Sequence, residues 1–195
     1  MILLCVPILT ILSIAISLVL SYGIRLVKST RTAFILPMLI PTASIVLIWR
    51  TVFTNTATPF PIYLLFIWKN IGICIILLTA AFTSIGSSIY EAARLDGTNT
   101  LKLHIKITIP MIAPTIFFTI LLSIVNSFKV FKESYLFFST NYPPNHSYTL
   151  QYYMNNNFLK LDYQSLATSA VLTSVLVFVI VVNFYNTNFN TVHIF

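Results

Sequence analysis

Charge is scarce in this chain: only 8% of its 195 residues are Asp, Glu, Lys or Arg, and only four of them are acidic. Those four, Glu91, Asp96, Glu133 and Asp162, supply no carboxylate pair inside an apolar run, so the acid–base cluster of a membrane-embedded enzyme is excluded. Glycine is equally rare. Gly23, Gly72, Gly86 and Gly97 are too dispersed for a phosphate-cradling loop, and none is followed by lysine. Cys5 and Cys74 both sit in apolar runs, where a cysteine reads as a small buried thiol and not as a disulfide or a metal ligand. His104, His146 and His193 are far apart, and the first two fall on opposite sides of the topology below, so they make no metal site. No basic stretch follows Met1, so the first apolar segment is expected to stay in the protein.

Apolar residues fill the space that charge leaves. They make up 57% of the chain, and the mean hydropathy is +0.91, far beyond what a water-soluble core requires. The bilayer is the expected solvent, with room for several spans of about 20 residues but for no separate soluble catalytic domain. A single all-α, polytopic membrane domain over residues 1–195 is therefore expected. The net charge of +7 does not point to nucleic acid, because the eleven basic residues are scattered through short loops and gather on no hydrophilic face. Basic residues are retained on the cytoplasmic side during insertion, so they serve as a topology map.

Five spans are expected, at about residues 2–22, 32–50, 61–82, 107–128 and 166–185. Pro37 and Pro41 should bend the second, and Pro110 and Pro114 fall in the fourth. A third span over 71–89 would avoid Lys69 but would end in Ser84, Gly86, Ser87 and Ser88; the earlier window is preferred, with Lys69 snorkelling toward an external turn at 55–61. Arg25, Lys28 and Arg31 share one loop, and Arg94, Lys102 and Lys106 another, so both loops face the cytoplasm. The C-terminus is then inside, residues 129–165 are outside, and Met1 is outside as well, which calls for a further span upstream.

Between the third and fourth spans runs Ser88-Ile-Tyr-Glu-Ala-Ala-Arg-Leu-Asp-Gly-Thr98, a set of strong helix formers preceded by serines and stopped by Gly97. A short cytoplasmic helix is expected here. Ile89, Ala92, Ala93 and Leu95 would form its apolar stripe, with Glu91, Arg94 and Asp96 solvated, so that it lies across the membrane surface.

The run EAARLDG, nine further residues and then Ile107-Thr-Ile-Pro110 resembles the EAA loop of binding-protein-dependent ABC importer permeases, written EAA, three residues, Gly, nine residues, I-x-L-P. One position departs: Ile109 stands where the family has Leu, a swap of similar volume. A looser likeness covers nearly the whole chain and points to the carbohydrate-importing branch. It is carried by Arg31-Thr-Ala-Phe-Ile-Leu-Pro37, by Ile67-Trp-Lys-Asn-Ile-Gly72, and by Ser127-Phe-Lys-Val-Phe-Lys-Glu-Ser-Tyr135 with Leu150-Gln-Tyr-Tyr-Met-Asn-Asn-Asn-Phe158. Family members carry a further span and an external segment upstream of this part, in keeping with the charge pattern.

The resemblance implies a permease subunit of the cell membrane that works by alternating access, with no chemical step and no cofactor of its own. Its EAA loop, residues 84–110, would be the coupling helix seated in a groove of the ATPase, with Glu91, Ala92, Ala93, Asp96 and Gly97 as docking residues. The implied partners are cytoplasmic ATPase subunits, a second permease subunit and an extracytoplasmic solute-binding protein, with membrane lipid around them and a sugar or related solute as cargo. For the solute path the polar residues within the spans are Asn126 and Lys69, although Lys69 can also snorkel and Asn126 can also bond a neighbouring helix. Tyr135, Phe137, Phe138, Tyr142, Tyr148, Tyr152 and Tyr153 could stack on sugar rings or anchor at the membrane interface, and no sugar site is assigned. An inert truncated copy or a passive membrane scaffold would share all of these features except transport.

Overall fold

Hydrocarbon offers no water to an open N–H or C=O, so a chain this apolar must satisfy its backbone within helices. The computed structural model, which describes residues 2–21, 27–53, 58–95 and 97–192, is helical throughout, with no strand among the described residues. In chain order the elements are α1 Ile2–Ser21, α2 Val27–Leu39, α3 Thr42–Val52, α4 Phe60–Ser84, α5 Ser87–Leu95, α6 Thr100–Leu103, a π-helical turn His104–Thr108, α7 Ile109–Met111, α8 Ala113–Phe128, α9 Phe131–Phe138, a 3-10 turn Asn145–Ser147, α10 Leu150–Leu159 and α11 Tyr163–Val192. The segments Leu3–Ser21, Phe60–Ser84 and Tyr163–Asn183 are each long and apolar enough to cross a membrane, and two bent pairs raise the number to five.

The bends fall where proline forbids a continuous ladder. In the second apolar run α2 stops at Leu39 and α3 starts at Thr42; Pro41 has no N–H to donate, and its ring disfavours the helical conformation at Ile40. Pro37, inside α2, interrupts nothing visible. The fourth run does not form the single helix expected over 107–128, because His104–Met111 and Ala113–Phe128 meet at 65°. Pro114 is the cause: it cannot bond the carbonyl of Pro110, and Ile112 leaves the helical region with φ −96° and ψ 5° before α8 starts again.

The chain divides into two compact units, Met1–Leu39 with Ile67–Ser123, and Ile40–Phe66 with Ile124–Phe195. In the first, Leu78 and Phe82 of α4 pack with Ile112 and Ile116, and with Ile14 and Leu18 of α1. The Ser17 hydroxyl donates to the Ile75 carbonyl at 3.1 Å, an interhelical bond where no water competes. Gly72 sits where α4 meets the main chain of α2, so closely that a Cβ there would overlap the Phe34 carbonyl. Other buried hydroxyls bond back to their own helix, Thr79 to Ile75 at 2.6 Å and Ser123 to Thr119 at 2.7 Å, whereas the buried Ser13 hydroxyl of α1 has no hydrogen-bond partner.

In the second unit, Ile45 and Val46 of α3 close a core with Ile62, Leu65 and Phe137, flanked by Trp49, Phe53 and Val130. The Arg50 guanidinium donates from Nη1 to Ser139 Oγ at 2.6 Å. The segment 129–165, expected only as an external stretch, is built of helices: α9 ends on Ser139 in the left-handed region at φ 50°, and α10 ends on Leu161 at φ 61°. Leu161 N–H bonds Phe158 O at 3.1 Å and Asp162 N–H bonds Asn157 O at 3.0 Å, the paired bonds of a Schellman stop. Asp162 then opens α11 by accepting the Ser165 N–H at 3.1 Å. Part of the expected turn at 55–61, together with Arg25 and His193, lies outside the described residues.

Candidate functional site: the loop between α4 and α8

After Ser84 the chain turns on Gly86, whose carbonyl accepts the Ile89 N–H at 3.2 Å, and enters α5. The helix has two faces. Ala93, only 6% exposed, points inward with the half-buried Ile89 and Tyr90, whereas Ser88, Glu91, Ala92 and Leu95 are exposed, Leu95 at 89%. The expected apolar stripe of Ile89, Ala92, Ala93 and Leu95 is thus split. At 3.6 residues per turn, 89 and 93 share one face, while 88, 91, 92 and 95 share another. Ala92 and Leu95 both leave the face of Ile89 and Ala93, and helical-wheel arithmetic alone would have set Leu95 beside Glu91.

Gly97 ends the helix in the left-handed region at φ 72°, and the Thr98 N–H returns to the Ala93 carbonyl at 3.1 Å, the wider bond of a Schellman stop. A Cβ at Gly97 would meet nothing within 4 Å. Its requirement for glycine is therefore one of backbone conformation and not of space. Asp96 lies outside the described residues.

Beyond the cap, Leu103 N–H bonds Asn99 O at 2.9 Å, and the chain runs through α6 into the π-helical turn His104–Thr108. A π-turn inserts one extra residue into the helical ladder, a local defect frequent at functional sites. Thr108 is fully buried inside Ile107-Thr-Ile-Pro110, and its hydroxyl reaches the Leu103 carbonyl at 3.4 Å. Leu103 and Ile112 are also buried, so the motif's second half anchors the loop to the apolar packing of α4.

Glu91, Ala92, Ala93 and Gly97 therefore come together on one short helix and its stop, with Ala93 facing in. Lys69, half-buried, is the tenth residue of α4 and belongs to the first unit. Asn126, also half-buried, lies near the end of α8 in the second unit, and its carbonyl accepts the Lys129 N–H at 3.0 Å. Of the aromatic residues singled out in the sequence, Phe137 is core. Tyr142, Tyr148 and Tyr152 form a stack with centroid separations of 6.5 and 5.8 Å, and Tyr152 meets Phe131 edge-on at 5.0 Å. Cys5 and Cys74 are buried free thiols, and among the described residues no group of three His, Cys, Asp or Glu side chains could hold a metal ion.

The chain matches, over residues 2–191, the family model described as binding-protein-dependent transport system inner membrane component. It is 34% identical over 123 residues to the arabinooligosaccharides transport system permease protein AraP of Bacillus subtilis (strain 168), a match covering 63% of this chain and 39% of that one. It is 38% identical over 90 residues to the lactose transport system permease protein LacF of Rhizobium radiobacter, covering 46% of this chain and 30% of the relative. The matched stretch is thus less than half the length of either relative. Among solved structures, a chain of a bacterial alginate ABC transporter in complex with alginate pentasaccharide-bound periplasmic protein shares the fold, with a TM-score of 0.76 at 20% identity over 98% of this chain and 74% of that one. With its helices, its EAARLDG loop and a family match over nearly its whole length, this chain belongs to the binding-protein-dependent transport system inner membrane components.

Proposed function

We propose that the chain is the permease subunit of an ATP-driven importer for a sugar or related solute, and that α5 receives the push of a cytoplasmic ATPase. The carrying observation is the EAARLDG helix, stopped by a left-handed Gly97 and held between apolar helices of a chain that matches this family. A rigid, capped helix transmits a displacement that a flexible loop would absorb. Glu91, Ala92 and the protruding Leu95 are the face offered to the ATPase, where small Ala92 permits close approach and Leu95 supplies an apolar anchor. Ala93 backs that face from within, and Gly97 fixes the exit of the chain; Asp96, which precedes Gly97 in the motif, is proposed as a docking residue on the sequence alone.

The names of AraP and LacF refer to arabinooligosaccharides and lactose, and the solved structure is described with alginate; this supports a carbohydrate cargo here. In this reading the C-terminus is cytoplasmic, a second permease subunit completes the pore, and a solute-binding protein delivers cargo from outside. ATPase closure swings the spans between inward- and outward-open arrangements, with Lys69 and Asn126 on the path.

The test is affinity purification of the chain from its native membrane in mild detergent, with mass spectrometry of what accompanies it. An ATPase and a second permease are expected. Glu91→Lys, which reverses the charge of the outward face, and Gly97→Pro, which cannot adopt φ 72°, should lose the ATPase while membrane insertion stays intact. Undiminished ATPase recovery with both variants would refute the docking role.

A further inference from the structure

We propose that the segment following α8 carries a sugar-binding pocket, walled by α9, α10 and the start of α11 and separate from Lys69 and Asn126. An open cleft of about 360 Å³ lies within the second unit, lined by Phe131, Gln151, Met154, Asn155, Phe158 and Leu166. That volume is at the lower end of the range of about 300–1,000 Å³ for small-ligand sites, matching one or two rings and not a long chain. Four of the six lining residues, at 151, 154, 155 and 158, follow the i, i+3, i+4, i+7 spacing and so occupy one face of α10.

The lining holds both kinds of group that a pyranose or furanose ring requires. Phe131 and Phe158 contribute the aromatic part of a mainly apolar surface, and Gln151 and Asn155, one turn apart, contribute amides that can turn onto hydroxyls. Both amides are poised. Phe131 N–H holds Gln151 Oε1 at 3.1 Å, which leaves the Nε2 end as the donor. Asn155 Nδ2 is buried without a hydrogen-bond partner, so its amide has a bond to gain by turning onto a ligand. Met154 packs with its sulfur 3.9 Å from the Thr173 hydroxyl, which donates to the Ser169 carbonyl at 2.6 Å.

The same chemistry discriminates against other occupants. No Lys, Arg, His, Asp or Glu lines the cavity, so an ionic headgroup finds no counter-charge. An acyl chain would fill the apolar walls but leave the Asn155 donor unpaired. A neutral sugar ring satisfies both. The proposal rests on the importer reading above for the side of the membrane on which this segment meets solute, but binding itself needs no ATPase.

Saturation-transfer NMR on the full chain in lipid nanodiscs, free of sugar-headed detergent, tests it with a panel of neutral pentoses, hexoses and their disaccharides. Transfer to ring protons is expected for at least one of them. Asn155→Leu should weaken that sugar about tenfold without lowering the melting temperature, because it removes an unpaired polar atom. Phe158→Ala, at a position 55% exposed, should weaken binding similarly. Lys102→Ala, at an exposed position of α6 in the first unit, should leave it unchanged. No transfer with any member of the panel would overturn the pocket, as would transfer indifferent to both pocket variants or competed away by a free fatty acid. Sugar binding without ATPase recovery would refute the importer and leave the pocket standing; ATPase recovery without sugar binding would do the reverse.

Discussion

Replacing Gly97 by alanine isolates one physical effect. The residue sits at φ 72°, and a Cβ would touch nothing within 4 Å, so overlap contributes nothing and only the intrinsic penalty of the left-handed region remains. That penalty is about 1–2 kcal/mol for a residue with a Cβ, offset by about 0.4–1 kcal/mol because alanine restricts the unfolded chain. A net loss of about 1 kcal/mol corresponds to roughly fivefold more frequent opening of the stop. The Thr98 N–H, which donates to Ala93 O at 3.1 Å, is the reporter. Amide exchange resolved to this loop should therefore quicken about fivefold in Gly97→Ala, less in Gly97→Asn because asparagine tolerates the left-handed region, and more in Gly97→Val because β-branching does not. Equal protection in all three variants would refute the account, and so would a loss in Gly97→Asn that exceeds that in Gly97→Val.

Gly72→Ala should cost about 1–3 kcal/mol through overpacking, since its Cβ would overlap the Phe34 carbonyl; an unchanged melting temperature in nanodiscs would count against the close approach of α2 and α4. Leu161→Gly should stabilise by about 0.5–1 kcal/mol, as relief of the left-handed backbone outweighs added chain entropy at a site 67% exposed; a lower melting temperature would contradict it. Hydrogen bonds from Ser165, side chain first and backbone second, hold the Asp162 carboxyl below its ordinary 3.8. Because the folded value is the lower one, the cap's contribution is present above the unfolded value and is lost as pH falls through the folded one. The destabilisation by Asp162→Ala should accordingly be constant from neutral pH to about pH 5 and fade only below the ordinary carboxylate range; a difference that grew on acidification would show that the carboxylate is not the acceptor.

The long apolar helices were legible because an uninterrupted apolar run of sufficient length has few other ways to satisfy its backbone; the expected window 61–82 falls within the helix Phe60–Ser84. The breaks were legible only in part. Pro41 and Pro114 both act, whereas Pro37 lies inside α2 without ending it. The π-turn at His104–Thr108 had no signal in composition, since one extra residue in a turn changes no periodicity over so short a stretch. In α5 the residue types pointed to a helix and its stop, yet polarity alone grouped Leu95 with Ile89 and Ala93 when its phase puts it beside Glu91. The cavity on α10 was invisible for a different reason: Phe131 and Leu166 are distant in sequence from the face they complete.

The contact at Gly72 also has a genetic consequence. What stands in the way of a larger residue is the carbonyl of Phe34 and not its ring, and every amino acid brings the same carbonyl. Substitutions at position 34 should therefore fail to rescue a Gly72→Ala defect, however small the side chain introduced. Revertants should arise instead at residues that set the path of α2 as a whole, or by restoration of glycine itself.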